Sequence, residues 1–109
     1  MTNEDAIKSI NIADAKAKLD ADAAQAIDVR PPPDWAGGHV KGARNIPLVA
    51  ISSRQAELAK DRPVLFFSED GVRSRDACQT ALSLGFTDVF NVEGGVFAWM
   101  RAGHELETI

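Results

Sequence analysis

The chain has 109 residues and is 45% hydrophobic, which is enough for one core and too short for two ordinary domains, so we expect a single domain over residues 1–109. A net charge of −4 and a pI near 5.0 give no long-range attraction to phosphate, which argues against nucleic acid and anionic membranes as partners. No apolar stretch approaches the ~18 residues that span a bilayer, and the acidic N-terminus has no signal-peptide core. The single cysteine, Cys78, can form neither an internal disulfide nor a zinc site and fits a reducing compartment. We therefore expect a cytoplasmic protein without a metal or other cofactor.

The first half of the chain alternates short apolar runs with helical segments. Residues 9–12 predict a short strand, and the Ala-, Lys- and Leu-rich residues 13–22 predict a helix. Residues 24–30 end in a β-branched run that is typical of a strand. Three prolines break that run before a short helix that is expected to close at Gly37 and Gly38. A brief extended piece over residues 43–47 follows.

The second half continues the alternation. Residues 48–61 have the composition of a helix, and residues 63–67 are apolar throughout, as in a central strand that is buried on both faces. A helix is predicted from Ser74, a strand over 88–92, and a last helix over 94–103 between glycines. Strands separated by helices indicate a mostly parallel sheet, and ligands of such sheets bind beyond the carboxyl ends of the strands. The loop after residue 67 lies at such an end.

Two stretches of the sequence resemble the signatures of rhodanese-like domains. The first is AIDVRPPPDWAGGHVKGARNIPL, and the second is GVRSRDACQTALSLGFTDVFNVEGGVFAWMRAG. The resemblance as a whole runs from about residue 12 to about residue 103. The resemblance implies an α/β fold with about five parallel strands flanked by helices on both faces. It also implies an active loop between residue 67 and the helix near Ser74, which in active members begins with a cysteine that carries a persulfide.

Ser68 occupies the position of that cysteine. A sulfurtransferase needs a thiolate that attacks the outer sulfur of the donor and holds it, and a serine hydroxyl cannot form this bond. We expect Ser68 to remain a neutral alcohol that satisfies backbone amides in the turn. A serine hydrolase is disfavoured because the Gly-x-Ser-x-Gly elbow is missing. The phosphatases and arsenate reductases of the same fold are disfavoured too, since the resemblance implies a cysteine here and a longer loop.

The loop is the candidate binding site, and it comprises Ser68, Glu69, Asp70, Gly71, Val72 and Arg73. Successive amides at a helix N-terminus can hold an anion. The two carboxylates and one guanidinium, however, give the loop a charge of −1 that opposes an incoming dianion. The carboxylates are interpreted as solvated rim residues.

Further polar residues are expected to support the loop from below. They are Asp28 and Arg30 at one strand end, Arg44 and Asn45 near the next, and Glu93 before two glycines. The resemblance implies a structural role for His39 in its Gly-His turn. Cys78 lies on the apolar stripe of the helix after the loop, and we expect it to be buried rather than a substitute nucleophile.

Two hypotheses remain open at this point. In the first, the chain is a rhodanese-like module without the catalytic cysteine that binds a protein partner or a small ligand at loop 68–73. In the second, it is a thiosulfate or persulfide sulfurtransferase whose cysteine has been replaced by Ser68 through an engineered change. Glu69 and Asp70 favour the first, because such a change would explain Ser68 but not its neighbours.

Overall fold

The structure is a computed structural model that describes residues 6–109. Seven strands and four α-helices are assigned within this range. The helices are α1 (Ile12–Asp20), α2 (Pro32–Gly37), α3 (Arg73–Ser83) and α4 (Gly95–Arg101). The strands are β1 (Lys8–Ile10), β2 (Gln25–Asp28), β3 (His39–Val40), β4 (Arg44–Asn45), β5 (Val64–Phe67), β6 (Val89–Val92) and β7 (Leu106–Glu107).

Five strands form one parallel sheet in the order β1-β6-β5-β2-β4. The central strand, β5, pairs with β2 from Gln25 opposite Val64 to Asp28 opposite Phe67, and with β6 on its other side. Because all five strands run in the same direction, their carboxyl ends share one edge of the sheet. The loops after β2, β5 and β6 therefore meet at that edge.

The sheet is buried on both faces, as the continuous apolar run of β5 predicts. Val64 and Phe66 point into a core shared with Cys78 and other residues of α3. Leu65 and Phe67 point the opposite way, into a core that includes Trp99 of α4. This alternation follows from the two-residue period of a strand. The predicted α/β fold, with a five-stranded parallel sheet and helices on both faces, is confirmed.

The prediction of a helix over residues 48–61, which rested on their composition, is wrong. The segment forms two short 3-10 turns, Leu48–Ala50 and Gln55–Glu57. Between them, the Ser53 hydroxyl donates to the Ala50 carbonyl at 3.2 Å, and the Gln55 side-chain amide donates to the Ser52 carbonyl at 3.0 Å. Side chains that bond nearby carbonyls compete with the helical ladder. Local polar residues thus override the favourable composition.

A second, two-stranded sheet is not predicted from the sequence. β3 and β7 pair antiparallel, with His39 opposite Glu107 and Val40 opposite Leu106. Strands of two residues are too short to show a periodic pattern, which is why sequence reasoning missed them. Within residues 6–109, no helix has the length and apolar character needed to cross a membrane.

Candidate functional site

The candidate site is the loop of residues 68–73 between β5 and α3. Ser68 follows the last residue of β5 and is only 1% exposed. Its Oγ accepts hydrogen bonds from the backbone N–H groups of Gly71, at 3.1 Å, and of Ser74, at 3.2 Å. The expected role of this hydroxyl, to satisfy amides of the turn, agrees with these contacts. The loop closes around Ser68 Oγ rather than presenting it to solvent.

A short relay of hydrogen bonds begins at Ser68. Its Oγ lies 3.0 Å from Ser74 Oγ, which in turn donates to Asn91 Oδ1 in a short contact. Since the Ser74 proton is used in that bond, Ser68 is the donor to Ser74. Asn91 Nδ2 then donates to the Gly71 carbonyl at 2.9 Å, so the relay returns to the loop. All three side chains are buried.

The relay contains no general base. Among the described residues, the hydrogen-bond partners of Ser68 Oγ are two amides and a hydroxyl, and the relay ends on a side-chain amide oxygen. An amide oxygen cannot take the serine proton near neutral pH, so Ser68 remains an alcohol. The arrangement lacks what activates a serine nucleophile.

The loop is fastened to the N-terminus of α4 through its backbone. The N–H of Val96 donates to the Ser68 carbonyl and that of Phe97 to the Glu69 carbonyl, both at 2.9 Å. Gly95, at φ +56°, makes this approach possible, because a Cβ there would lie 2.3 Å from the Ser68 carbonyl oxygen. These amides of α4 are therefore occupied by the protein's own carbonyls.

Gly71 makes a second close backbone contact. Its φ is +88°, and a Cβ at this position would lie 2.9 Å from Gly94 N and 3.0 Å from the Val92 carbonyl oxygen. Only glycine combines this conformation with this approach. The loop is held in one shape from both the α3 and the α4 sides.

The other side chains of the loop face outward. Glu69 is half-buried, Asp70 and Arg73 are exposed, and Val72 is 66% exposed. Asp70 Oδ1 accepts the N–H of Val72 at 3.1 Å, which ties one carboxylate to the loop itself. The rim therefore displays two carboxylates, one guanidinium and one isopropyl group on a fixed backbone.

Asp28 and Arg30 form a buried ion pair at the end of β2. The Arg30 guanidinium binds both carboxylate oxygens of Asp28, with Nη2 2.8 Å from Oδ2, and also donates to the Gly38 carbonyl at 2.6 Å. Asn45 Nδ2 donates to the carbonyls of both residues. The structure brings together these three of the polar residues that the sequence analysis singled out. Such a pair is costly to break, because a lone buried charge would remain.

The structure does not bring Arg44 and Glu93 into this network. Arg44 lies on the edge strand β4, is exposed, and donates to the Glu57 carbonyl at 2.6 Å. It neighbours Asn45 in a strand, so the two side chains point to opposite faces. The Glu93 side chain is exposed at the carboxyl edge of β6. The side chains of Arg44 and Glu93 are therefore outside the network, although both residues are close in sequence to polar or loop residues.

His39 lies away from Ser68, in the small β3–β7 sheet. Its Nδ1 donates to the Trp35 carbonyl at 2.8 Å, and its Nε2 is 3.8 Å from Glu107 Oε2. The Trp35 and His39 rings stack with centroids 4.2 Å apart, and Trp35 Nε1 donates to the Ala43 carbonyl. Trp35 thus packs on His39.

Cys78 is fully buried on α3, as predicted. Burial raises the pKa of its thiol to about 12, while the nearby charge of Arg75 lowers it slightly. A thiol with this pKa is almost entirely protonated at neutral pH and reacts slowly. The burial and raised pKa of Cys78 both disfavour it as a nucleophile.

Sequence reasoning missed the two residues that complete the relay, Ser74 and Asn91. Ser74 was noted only as the start of a helix, and Asn91 only as part of a strand. A polar residue in the apolar run of β6 was the available signal, because buried asparagines need hydrogen-bond partners. Within residues 6–109, no group of three or more His, Cys, Asp or Glu side chains is arranged to hold a metal ion.

Comparisons with known proteins all point to one family. The Rhodanese-like domain family matches residues 11–102. The uncharacterized protein YqhL of Bacillus subtilis is 45% identical over 76 residues, which are 70% of this chain and 60% of that protein. A sulfurtransferase of Allochromatium vinosum is 36% identical over 77 residues, covering 71% of this chain and 72% of that protein.

The fold comparison agrees. A rhodanese-related protein from Thermoplasma volcanium has a crystal structure that superimposes with a TM-score of 0.84 at 27% identity, covering 94% of this chain and 99% of that one. The family match spans the β5–α3 loop and the turn before α4. The chain therefore belongs to the family of rhodanese-like domains.

Proposed function

We propose that this rhodanese-like domain carries no sulfur on residue 68 and that loop 68–73 serves as a binding surface for a protein partner or a small ligand. The observation that carries the proposal is the set of contacts of Ser68. Its Oγ is buried, accepts two amides, and donates into a relay that ends on an amide oxygen. The residue is satisfied as a structural group and has no base to activate it.

The outer surface of the loop supports the binding role. Several of its carbonyls and amides are bonded within the protein, so the backbone is fixed while the side chains of Asp70, Val72 and Arg73 are exposed. A fixed backbone lowers the entropy that a partner must overcome on binding. We place the protein in the cytoplasm, since its single thiol is buried and unpaired.

Sulfur transfer is the second candidate, and one observation favours it. The amides of Gly71 and Ser74 point at the γ atom of residue 68, where they would stabilise a thiolate if that atom were sulfur. The relative in Allochromatium vinosum is named a sulfurtransferase. This candidate requires a cysteine at position 68, and the chain has Ser68.

Thiocyanate formation from thiosulfate and cyanide separates the two candidates. The wild-type chain should give no turnover above a protein-free blank. Ser68→Cys should give weak turnover, because the loop amides stabilise a thiolate while Glu69 and Asp70 oppose it and the donor dianion.

A second substitution tests whether the carboxylates matter. A residual like-charge repulsion of about 1.4 kcal/mol after screening corresponds to roughly tenfold in rate. Adding Glu69→Arg to Ser68→Cys should therefore raise kcat/KM by about tenfold. If Ser68→Cys alone has the same kcat/KM as the double variant, the two carboxylates do not affect the reaction. The sulfurtransferase candidate then becomes the better one. Turnover by the wild-type chain would refute the proposal outright.

A further inference from the structure

A groove of about 360 Å³ lies beside the loop, between α2 and α4. Its apolar lining includes Pro33 of α2, Phe97 and Met100 of α4, and Leu106 of β7. Phe97 is 50% exposed and Met100 is 52% exposed, and together they form an exposed apolar patch on α4. They are three residues apart and so lie side by side on the helix.

The helix α4, which forms one side of the groove, is bonded to loop 68–73 through its backbone. The N–H of Phe97, which lines the groove, donates to the carbonyl of Glu69 in the loop. A ligand that covers Phe97 would therefore lie on the helix to which the loop is bonded. Arg30 also lines the groove, but its guanidinium is bound by the buried carboxylate of Asp28. It offers little net charge to an anion.

The charge around the groove is mainly negative. Exposed or half-buried carboxylates are contributed by Asp34 of α2, which lines the groove, by Glu69 and Asp70 of the loop, and by Glu93 before α4. Besides Arg30, which is paired with Asp28, the adjoining segments carry the exposed guanidinium groups of Arg73 in the loop and Arg101 at the end of α4. Asp34 lines the groove, and the adjoining loop and turn add three carboxylates against two exposed guanidinium groups, so a ligand with positive charge is favoured.

From these observations we infer that the groove between α2 and α4 docks a segment of a partner protein that carries apolar side chains flanked by Lys or Arg. This inference rests on the proposed role of loop 68–73 as a binding surface and names the chemistry of its partner. The apolar side chains lie on Phe97 and Met100, and the basic residues face Asp34 and the loop carboxylates. Methionine and aromatic side chains are common at such peptide-binding surfaces.

Charge argues against the other occupants. A second copy of the chain has a net charge of −4 and would bring carboxylates against carboxylates. Anionic lipid headgroups and nucleic acids are repelled in the same way. An acidic peptide would be repelled as well.

Three fluorescent peptides of one length test the inference. The first has two leucines flanked by lysines, the second has serines in place of the leucines, and the third has glutamates in place of the lysines. Anisotropy titration should show binding of the first alone, weakening as salt is raised. Amide shifts in NMR spectra of the labelled protein should map to residues 97–100 and to the loop.

Matched variants locate the site. Phe97→Ser and Met100→Ser should each weaken binding by about tenfold. Val49→Ser should leave binding unchanged, since Val49 is 94% exposed but does not line the groove. Asp34→Asn should weaken it several-fold, whereas Asp61→Asn, before the amino end of β5, should not.

The inference is wrong if the acidic peptide binds as tightly as the basic one, or if Val49→Ser weakens binding as much as Phe97→Ser. It is equally wrong if no groove amide shifts at about 1 mM basic peptide. Dimerisation that Phe97→Ser abolishes, seen by sedimentation, would make a second copy the occupant and would also overturn it. None of these outcomes bears on sulfur transfer, so the thiocyanate assay judges the proposed function separately.

Discussion

Replacement of Ser68 by alanine should destabilise the domain strongly, although alanine differs from serine by a single oxygen. The lost Oγ is the acceptor for the buried N–H groups of Gly71 and Ser74 and the partner of Ser74 Oγ. A buried donor that loses its acceptor costs about 1–3 kcal/mol. With two donors affected and some relaxation of the loop, Ser68→Ala should lower the free energy of unfolding by roughly 2–4 kcal/mol.

Urea unfolding followed by tryptophan fluorescence measures this loss. A change of 1 kcal/mol corresponds to about 4 °C in Tm for a domain of this size, so thermal unfolding provides a second measure. Ser53→Ala is the matched control, because its exposed hydroxyl donates only to the Ala50 carbonyl, and it should change stability by less than about 0.5 kcal/mol. If Ser68→Ala costs no more than this control, the hydroxyl does not hold the loop and the structural role assigned to Ser68 is wrong.

Two further positions give independent tests. Gly95→Ala should destabilise the domain by about 3 kcal/mol or more, since a Cβ would meet the Ser68 carbonyl oxygen at 2.3 Å. Gly37→Ala should be nearly neutral, because a Cβ there has nothing within 4 Å, and equal effects of the two variants in urea unfolding would contradict the close approach. Cys78 should react with a thiol reagent far more slowly in the native protein than in denaturant, and equal rates would show an accessible thiol. Because the pKa of Cys78 is about 12 in the folded state and about 8.5 when unfolded, its contribution to stability should be complete below pH ~8.5 and fall as the pH rises toward 12. The stability advantage of the wild type over Cys78→Ala should therefore shrink in that window, and a constant difference would refute the raised pKa.

The sheet and the position of the loop could be predicted because their signals are local. The apolar run at Val64–Phe67 marks a strand buried on both faces, and Gly71 with the helical pattern after it marks a turn at the carboxyl end of that strand. The family resemblance then identified Ser68 as the position to examine. Its backbone contacts agree with the expectation that the hydroxyl would satisfy amides.

What sequence reasoning missed depends on contacts between distant segments. Asn91 meets Ser74 only because β6 lies beside β5 and carries it under the loop. Arg44 and Asn45 point to opposite faces because they are neighbours in a strand, but which of them meets Asp28 and Arg30 depends on how β4 pairs with β2. Exposure of Phe97 and Met100 depends on how α2 approaches α4, and the sequence alone predicts a helix there without indicating which residues it leaves uncovered.

Intact mass measurement after incubation with thiosulfate is the most direct test of the central claim that residue 68 carries no sulfur. The wild-type chain and Ser68→Cys are treated side by side, and any modified protein is digested to locate the added mass. We predict an unchanged mass for the wild type and the addition of one sulfur atom, located at position 68, for a fraction of Ser68→Cys. Addition of sulfur to the wild-type chain, on any residue, would contradict the account.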